Sequence, residues 1–295
     1  QCLVIDAGFF SKIYLGIKRM IYRLIVAVTL LMLGAPLHAE RFKEVQIQET
    51  KLADNLFMLS GAGGNMAAVV SADNVLLVDS QYAEVAEKIK VKLLQLGGSS
   101  GVTKLVNTHV HGDHVGGNSA IGAGVDIIAH QNVLSRLLQD ASFDRSGLPT
   151  VTFSQQLTLQ LNGYTVRLDY MPPSHTDGDV VVWFEQANVV HFGDLLFEGR
   201  FPFIDTSKGG SVKGYIENTR GLLAMLNDET KVIPGHGQLT DKAGVQRSLD
   251  MMLATLAIVQ GHKAAGLTEQ QVVAQGLGEQ WKSWHWNFIT EQRWI

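Results

Sequence analysis

The sequence predicts a layered α/β domain. Short apolar strands and hairpins are followed by amphipathic helices, and this plan occurs twice along the chain. No composition break or linker separates the two halves. The polar and glycine-rich residues gather at strand ends, where a rigid scaffold can present functional side chains.

The elements follow in order. Leu56–Leu59 is a strand, SGAGGN (60–65) a glycine loop, and Met66–Val70 a second strand. The turn Ala72-Asp73-Asn74 leads into Val75–Asp79. Val85, Ile89, Leu93 and Leu96 line one stripe of a helix over Tyr82–Leu96, which stops at Gly97-Gly98. Thr103–Asn107 is a strand that runs into THVHGDHVGGN (108–118), and Asn118–Ile121 opens a helix. Val125–Ala129 and Gln131–Gln139 are a further strand and helix. In the second half, Tyr164–Tyr170 alternates as a strand, and Val180–Glu185 and Val189–Phe192 form a hairpin ending in Gly193-Asp194. Val212–Leu226 is helical, Lys231–Ile233 is a short strand before PGHG, Ala243–Ala264 is a long helix, and Thr268 caps another.

The bulk numbers narrow the function. The 295 residues are 46% hydrophobic and 18% charged, with a formal net charge of −4. An acidic balance argues against a nucleic-acid partner, which needs a basic footprint. From Met20, the stretch MIYRLIVAVTLLMLGAPLHAE carries Arg23, an apolar run over 24–33, and Leu37-His38-Ala39 before Glu40. It reads as a secretory signal at 20–39, cleaved after Ala39; the apolar run is short of the roughly 20 residues a membrane span needs. Residues 1–19 read as upstream sequence outside the functional protein. The expected product is periplasmic or secreted, without a stable membrane anchor. The single cysteine, Cys2, precedes the signal. The exported chain therefore has no disulfide, no thiolate nucleophile and no thiolate metal ligand.

Three histidines and an aspartate fall within six positions: His109, His111, Asp113 and His114. In extended chain, residues two apart point to the same side, so His109 and His111 can reach one ion. Gly112 lets the chain turn, so that Asp113 and His114 face a neighbouring point. Zinc takes histidine nitrogen and carboxylate oxygen, three or four per ion. Each set is incomplete on its own, and candidates to finish them stand at later strand ends: His175, Asp194 and His236. His109, His111 and His175 would make one site; Asp113, His114 and His236 the other; Asp194 could bridge them. Lone histidines at strand ends, His130 and His191, read as structural, and His262 and His285 as surface or packing residues.

The ordered set Asp79, THVHGDH, His175 in PSHTDGD, Asp194 in HFGDLLF and His236 in IPGHG strongly resembles the metallo-β-lactamase superfamily. The resemblance covers about residues 45–265, leaving 266–295 as a C-terminal helical extension packed on that domain. It implies an αββα four-layer sandwich, a metal site at one edge holding two Zn2+ ions, and the ligand roles given above. It also implies that Asp79 orients the loop carrying the histidines. The best-known β-lactamase subclass has cysteine where Asp194 stands. The cysteine-free set is closer to glyoxalase II, lactonases and related hydrolases. Flavodiiron relatives have glutamate at the position of His111, and RNA-processing relatives need a basic surface and added domains. Persulfide dioxygenases share the ligands but use one iron.

The expected activity is hydrolysis of an ester, thioester, lactone or amide in a small-molecule substrate by a hydroxide held between two metals, with Asp113 orienting it or passing on its proton. The alternatives are a β-lactamase of the cysteine-free type, a mononuclear iron dioxygenase, and a metal-binding protein without turnover. Asn65, at the end of a glycine loop read as a flap or simple hairpin, and Arg200 are candidate substrate contacts. Trp281, Trp284, Trp286, Phe288 and Trp294 read as packing groups.

Overall fold

Among the described residues of the computed structural model, 42–122 and 124–295, two sheets face each other. The expected signal and the segment before it lie outside those residues. The first sheet holds seven strands in chain order: β1 (Gln48–Lys51), β2 (Leu56–Ser60), β3 (Met66–Val70), β4 (Val75–Val78), β5 (Lys104–Val106), β6 (Asp126–His130) and β7 (Val151–Phe153). It is antiparallel up to β4 and parallel from β4 to β7. The second sheet has the order β12 (Lys231–His236), β11 (Val189–Phe197), β10 (Val180–Phe184), β9 (Tyr164–Tyr170), β8 (Gln156–Leu161).

The alternation of side chains along β10 shows how the layers are built. Val180, Val182 and Phe184 enter the core between the sheets, against Met58, Val69, Leu76, Val78, Val106 and Ile128 of the first sheet. Val181 and Trp183 point the other way, into a cluster with α5 (Val212–Met225) and α6 (Lys242–Ala264). A strand covered on both faces reads as a continuous apolar run. On the outer face of the first sheet, α2 (Gly112–Val115) and α4 (Gln131–Gln139) place Val115, Val133 and Leu137 against Ala129. The remaining helices are α1 (Ala86–Gln95), α3 (Asn118–Ile121), α7 (Glu269–Gln275) and α8 (Glu291–Trp294). The order helix, sheet, sheet, helix is the αββα sandwich.

Residues 46–295 form one compact unit, and 266–295 belong to it. Leu277 and Ile289 are buried in the same cluster as α5 and α6, with Trp281, Trp284, Trp286 and Trp294 packed against it. No helix among the described residues is long and apolar enough to cross a membrane.

Three strands go beyond the sequence reading. β1 is exposed at all four positions and β7 has three residues, so neither carries a burial pattern. β8 alternates polar and apolar as an edge strand. Two other strands run further than expected. β11 continues through Gly193-Asp194 to Phe197, and β12 through Pro234-Gly235 to His236. They pair in parallel with register shifts around Gly193, whose φ is +53°. That irregularity bends the strand at Asp194 instead of ending it.

Candidate metal centre

The loops after β5 and β9, with α2 and the distal parts of β11 and β12, bring all seven expected ligands to one sandwich edge. His109, His111, His175 and Asp194 offer ligand atoms within 4.8 Å of one another, and so do Asp113, His114 and His236. His111 Nδ1 lies 3.1 Å from His109 Nε2 and 2.8 Å from His175 Nε2. Asp194 spans the two groups. Its Oδ2 is 3.7 Å from His109 Nε2 and 3.3 Å from His175 Nε2, while its Oδ1 is 3.1 Å from His114 Nε2 and 3.5 Å from His236 Nε2.

The far nitrogen of each ring settles which tautomer faces the site. His175 Nδ1 meets the Phe203 carbonyl at 2.6 Å, so it must donate. His111 Nε2 donates to Asp205 at 2.9 Å and His114 Nδ1 to Asp79 at 2.7 Å. Thr108 spends its hydroxyl proton on Asp79, so His109 Nδ1 donates to the Thr108 oxygen at 3.1 Å. All four rings thus point the nitrogen that would ligate inward, a lone pair at His114 once that ring gives up the extra proton its carboxylate neighbours hold. His114 Nε2 and Asp194 Oδ1 are buried and have no hydrogen-bond partner. Inward lone pairs need a cation between them, because an unsatisfied buried polar atom is costly. A tetrahedral zinc ion spaces its nitrogen ligands by roughly 3.3 Å, close to the separations here. The residues fit a metal pair.

Electrostatics divide the two groups. Burial, reinforced by the neighbouring rings, pushes His109 well below its ordinary value and His175 down to about 4. Both are neutral imidazoles ready to ligate. Burial also acts to lower His114 and His236, but nearby carboxylates outweigh it. Asp194, Asp113 and Asp79 hold His114 well above its usual value, and Asp194 and Asp113 raise His236 to about 9. Burial opposes ionisation of Asp194 as well, yet His236, His114, His109 and His175 keep it well below the carboxylate range.

Asp79 is fully buried with φ +64°, a left-handed conformation that aspartate tolerates better than most residues. It accepts the Thr108 amide at 2.8 Å and the Thr108 hydroxyl at 2.7 Å, besides the His114 ring. Asp205 had no signal in the sequence. It anchors His111 across 94 positions and caps the short turn Thr206–Lys208. Burial would raise it, but hydrogen bonds from Ser207 and His111 bring it to about 2, so it is an ionised support.

Two expectations need correction. Asn65 is not open to a substrate. It is buried, and its amide donates to the carbonyls of Pro234 and Gly237, tying the glycine loop to the turn that holds His236. Nor is that glycine loop a free flap. Gly64 N donates to Asp113 O, Gln81 Nε2 donates to Gly64 O, and a Cβ at Gly64 would stand 2.1 Å from His114 Cε1. Glycine is there for close approach to a metal ligand. Arg200 is half-buried with its guanidinium 5.5 Å from the Trp286 ring, and it has no carboxylate partner among the described residues. His191 and His130 are structural. His191 accepts from Gly193 N and donates to Asn65 O, and His130 stacks on Tyr170 at 3.9 Å and caps α4.

Gly64→Ala should displace the His114 ring. Zinc affinity at the Asp113–His114–His236 group is expected to fall about 10–100-fold, lowering bound zinc on titration while the other group still fills. Unchanged stoichiometry and affinity would contradict the packing. A second expectation concerns protons. At pH 7 the metal-free His114 and His236 both carry an extra proton, and zinc accepts only neutral rings. Zinc uptake should release protons, and affinity should rise with pH from 7 through about 9. Calorimetry in buffers of different protonation enthalpy reads this directly; a buffer-independent heat at pH 7 would contradict it.

The metallo-beta-lactamase superfamily model matches residues 60–236. A metallo-beta-lactamase type 2 of Bacillus sp. (strain 170) is 24% identical over 185 residues, covering 62% of this chain and 70% of the relative. The hydroxyacylglutathione hydrolase GloC of Haemophilus influenzae is 30% identical over 156 residues, 49% of this chain and 73% of the relative. Among solved structures, a metallo-beta-lactamase from Pontibacter korlensis aligns with a TM-score of 0.59 at 20% identity, over 70% of this chain and 99% of that one. Fold, histidine–aspartate cluster and family match agree: the chain belongs to the metallo-beta-lactamase superfamily and is a hydrolase.

Proposed function

We propose that this chain is an exported, dinuclear zinc-dependent hydrolase that cleaves an ester, thioester, lactone or amide bond in a small molecule. The observation that carries the reading is Asp194, whose two oxygens each face a different ligand group. A carboxylate shared between two ligand groups supports a pair of ions over the single iron of a dioxygenase or a storage role. When bound, the two zinc ions supply Lewis acidity, which brings the pKa of water near 7 and polarises a carbonyl oxygen. The chain's own residues do the rest.

Burial holds His109 and His175 neutral, and Thr108, Asp205 and the Phe203 carbonyl fix the rings of His109, His111 and His175 from behind. Asp113 is the more exposed acid of the site, with its side chain 23% accessible against 4% for Asp194. Burial resists its ionisation, but His114 and His236 outweigh that effect and keep the carboxyl below its ordinary value. Asp113 is thus a carboxylate at neutral pH. From that position it orients the attacking water, takes up its proton and delivers it to the leaving group. Arg200, which lies over the Trp286 ring and has no carboxylate partner among the described residues, is the contact for an anionic substrate group. The signal expected at Met20–Ala39 supports export, and the acidic balance disfavours nucleic acid.

A β-lactamase is the second reading, favoured by the metallo-beta-lactamases among the relatives; with Asp194 where the best-known subclass has cysteine, it would be one of the cysteine-free type. The hydroxyacylglutathione hydrolase relative favours a thioester. Assaying nitrocefin, a thioester and an aryl ester after chelation and after zinc return separates the readings. Chelation should abolish turnover and zinc restore it, and Asp113→Ala should lower kcat by about 10²–10⁴. Turnover that survives complete metal removal would overturn the proposal, as would a loss under tenfold at Asp113.

A further inference from the structure

The C-terminal segment, expected chiefly to pack, reaches the metal centre. Phe203 stacks on His111 with ring centres 5.6 Å apart. Phe288 meets Phe203 edge-on at 5.1 Å, and Trp286 lies 5.6 Å from Phe288. Trp286 is in turn 6.1 Å from His236 and 5.9 Å from Phe197, which stacks on His236 at 5.1 Å. These rings form a continuous arc from a ligand of one group to a ligand of the other. Trp286 and Phe288 lie beyond the residues that the family model matches.

The arc is built to hold its shape. Trp286 Nε1 donates to Phe201 O at 2.9 Å, Phe201 N donates to Trp284 O, and Trp286 N donates to Ile289 O. Ile289 is 2% exposed and anchors the strap in the outer cluster. Arg293 clasps the Phe288 carbonyl at 2.8 Å and lays its guanidinium 4.4 Å from the Phe288 ring. Yet Phe288 remains 46% exposed. An aromatic ring fixed by this many contacts and still open to solvent beside a metal centre is a preformed apolar surface.

We propose that Trp286 and Phe288 are specificity residues, forming with Phe203 an aromatic wall that selects substrates carrying an aryl or similarly flat apolar group beside the carbonyl that is cleaved. The proposal rests on the hydrolase reading for its substrate, but binding alone tests the wall. Acetate and phenylacetate offer a metal centre the same carboxylate and differ only in the ring.

In calorimetry on the zinc-loaded full chain, phenylacetate should bind about tenfold more tightly than acetate. Phe288→Ala and Trp286→Ala should each bring the two affinities to within about threefold, while Phe288→Tyr keeps the preference. The ratio of kcat/KM for a phenylacetyl thioester over an acetyl thioester should fall in parallel, through KM. Phe288 is exposed, so its variants serve even if Trp286→Ala fails to fold. Equal wild-type affinities would overturn the wall, as would variants that weaken both acids alike. If phenylacetate keeps its advantage but none of the thioesters, the aryl ester and nitrocefin is hydrolysed, the hydrolase reading fails and the wall stands. If both thioesters are hydrolysed with equal efficiency, the wall fails and the hydrolase stands.

Discussion

The Asp79 carboxylate is the contact on which the site depends. It closes β4, takes a left-handed backbone angle, and gathers three hydrogen bonds from Thr108 and His114. Through Thr108 it fixes His109, and directly it fixes His114. One buried anion therefore sets a tautomer in each ligand group. A strained φ at a non-glycine residue persists only where surroundings over-determine it; here the Asp79 amide bonds to Val106 O and the carboxylate is consumed on both sides.

A division of labour follows. The sandwich supplies rigid strand ends, and the parallel pairing of β11 with β12 sets Asp194 near His236. A second layer of oxygens from Asp79, Asp205, Thr108 and the Phe203 carbonyl takes the outward protons of four rings. The inward lone pairs and Asp194 then converge where only cations relieve them. Catalysis at such a centre needs little further machinery from the chain beyond a proton carrier and a shaped wall. In the proposed reaction Asp113 takes the first of those tasks and the C-terminal aromatics the second.

The ligands were legible because their spacing is local: His109 and His111 two apart on extended chain, a glycine turn, and single polar residues at the ends of apolar strands. The layers were legible too, since β10 is a continuous apolar run, as a strand covered on both faces must be, and α1 carries an apolar stripe. What escaped was long-range. Nothing near Asp205 marks it as the partner of His111, and nothing near Asn65 shows that its amide is spent on the turn at His236. The glycine loop looked flexible because composition reports freedom, whereas Gly64 is small for the sake of His114. Trp286 and Phe288 looked like packing residues because a strap and a wall share one composition. β1, exposed throughout, had no burial pattern to read.

The most direct measurement is anomalous diffraction at the zinc edge from crystals of the zinc-loaded protein. The account predicts two peaks about 3.5–4 Å apart, one among His109, His111 and His175 and one among Asp113, His114 and His236, with Asp194 between them. A single peak at full zinc occupancy, or a pair that leaves Asp194 unliganded, would contradict it.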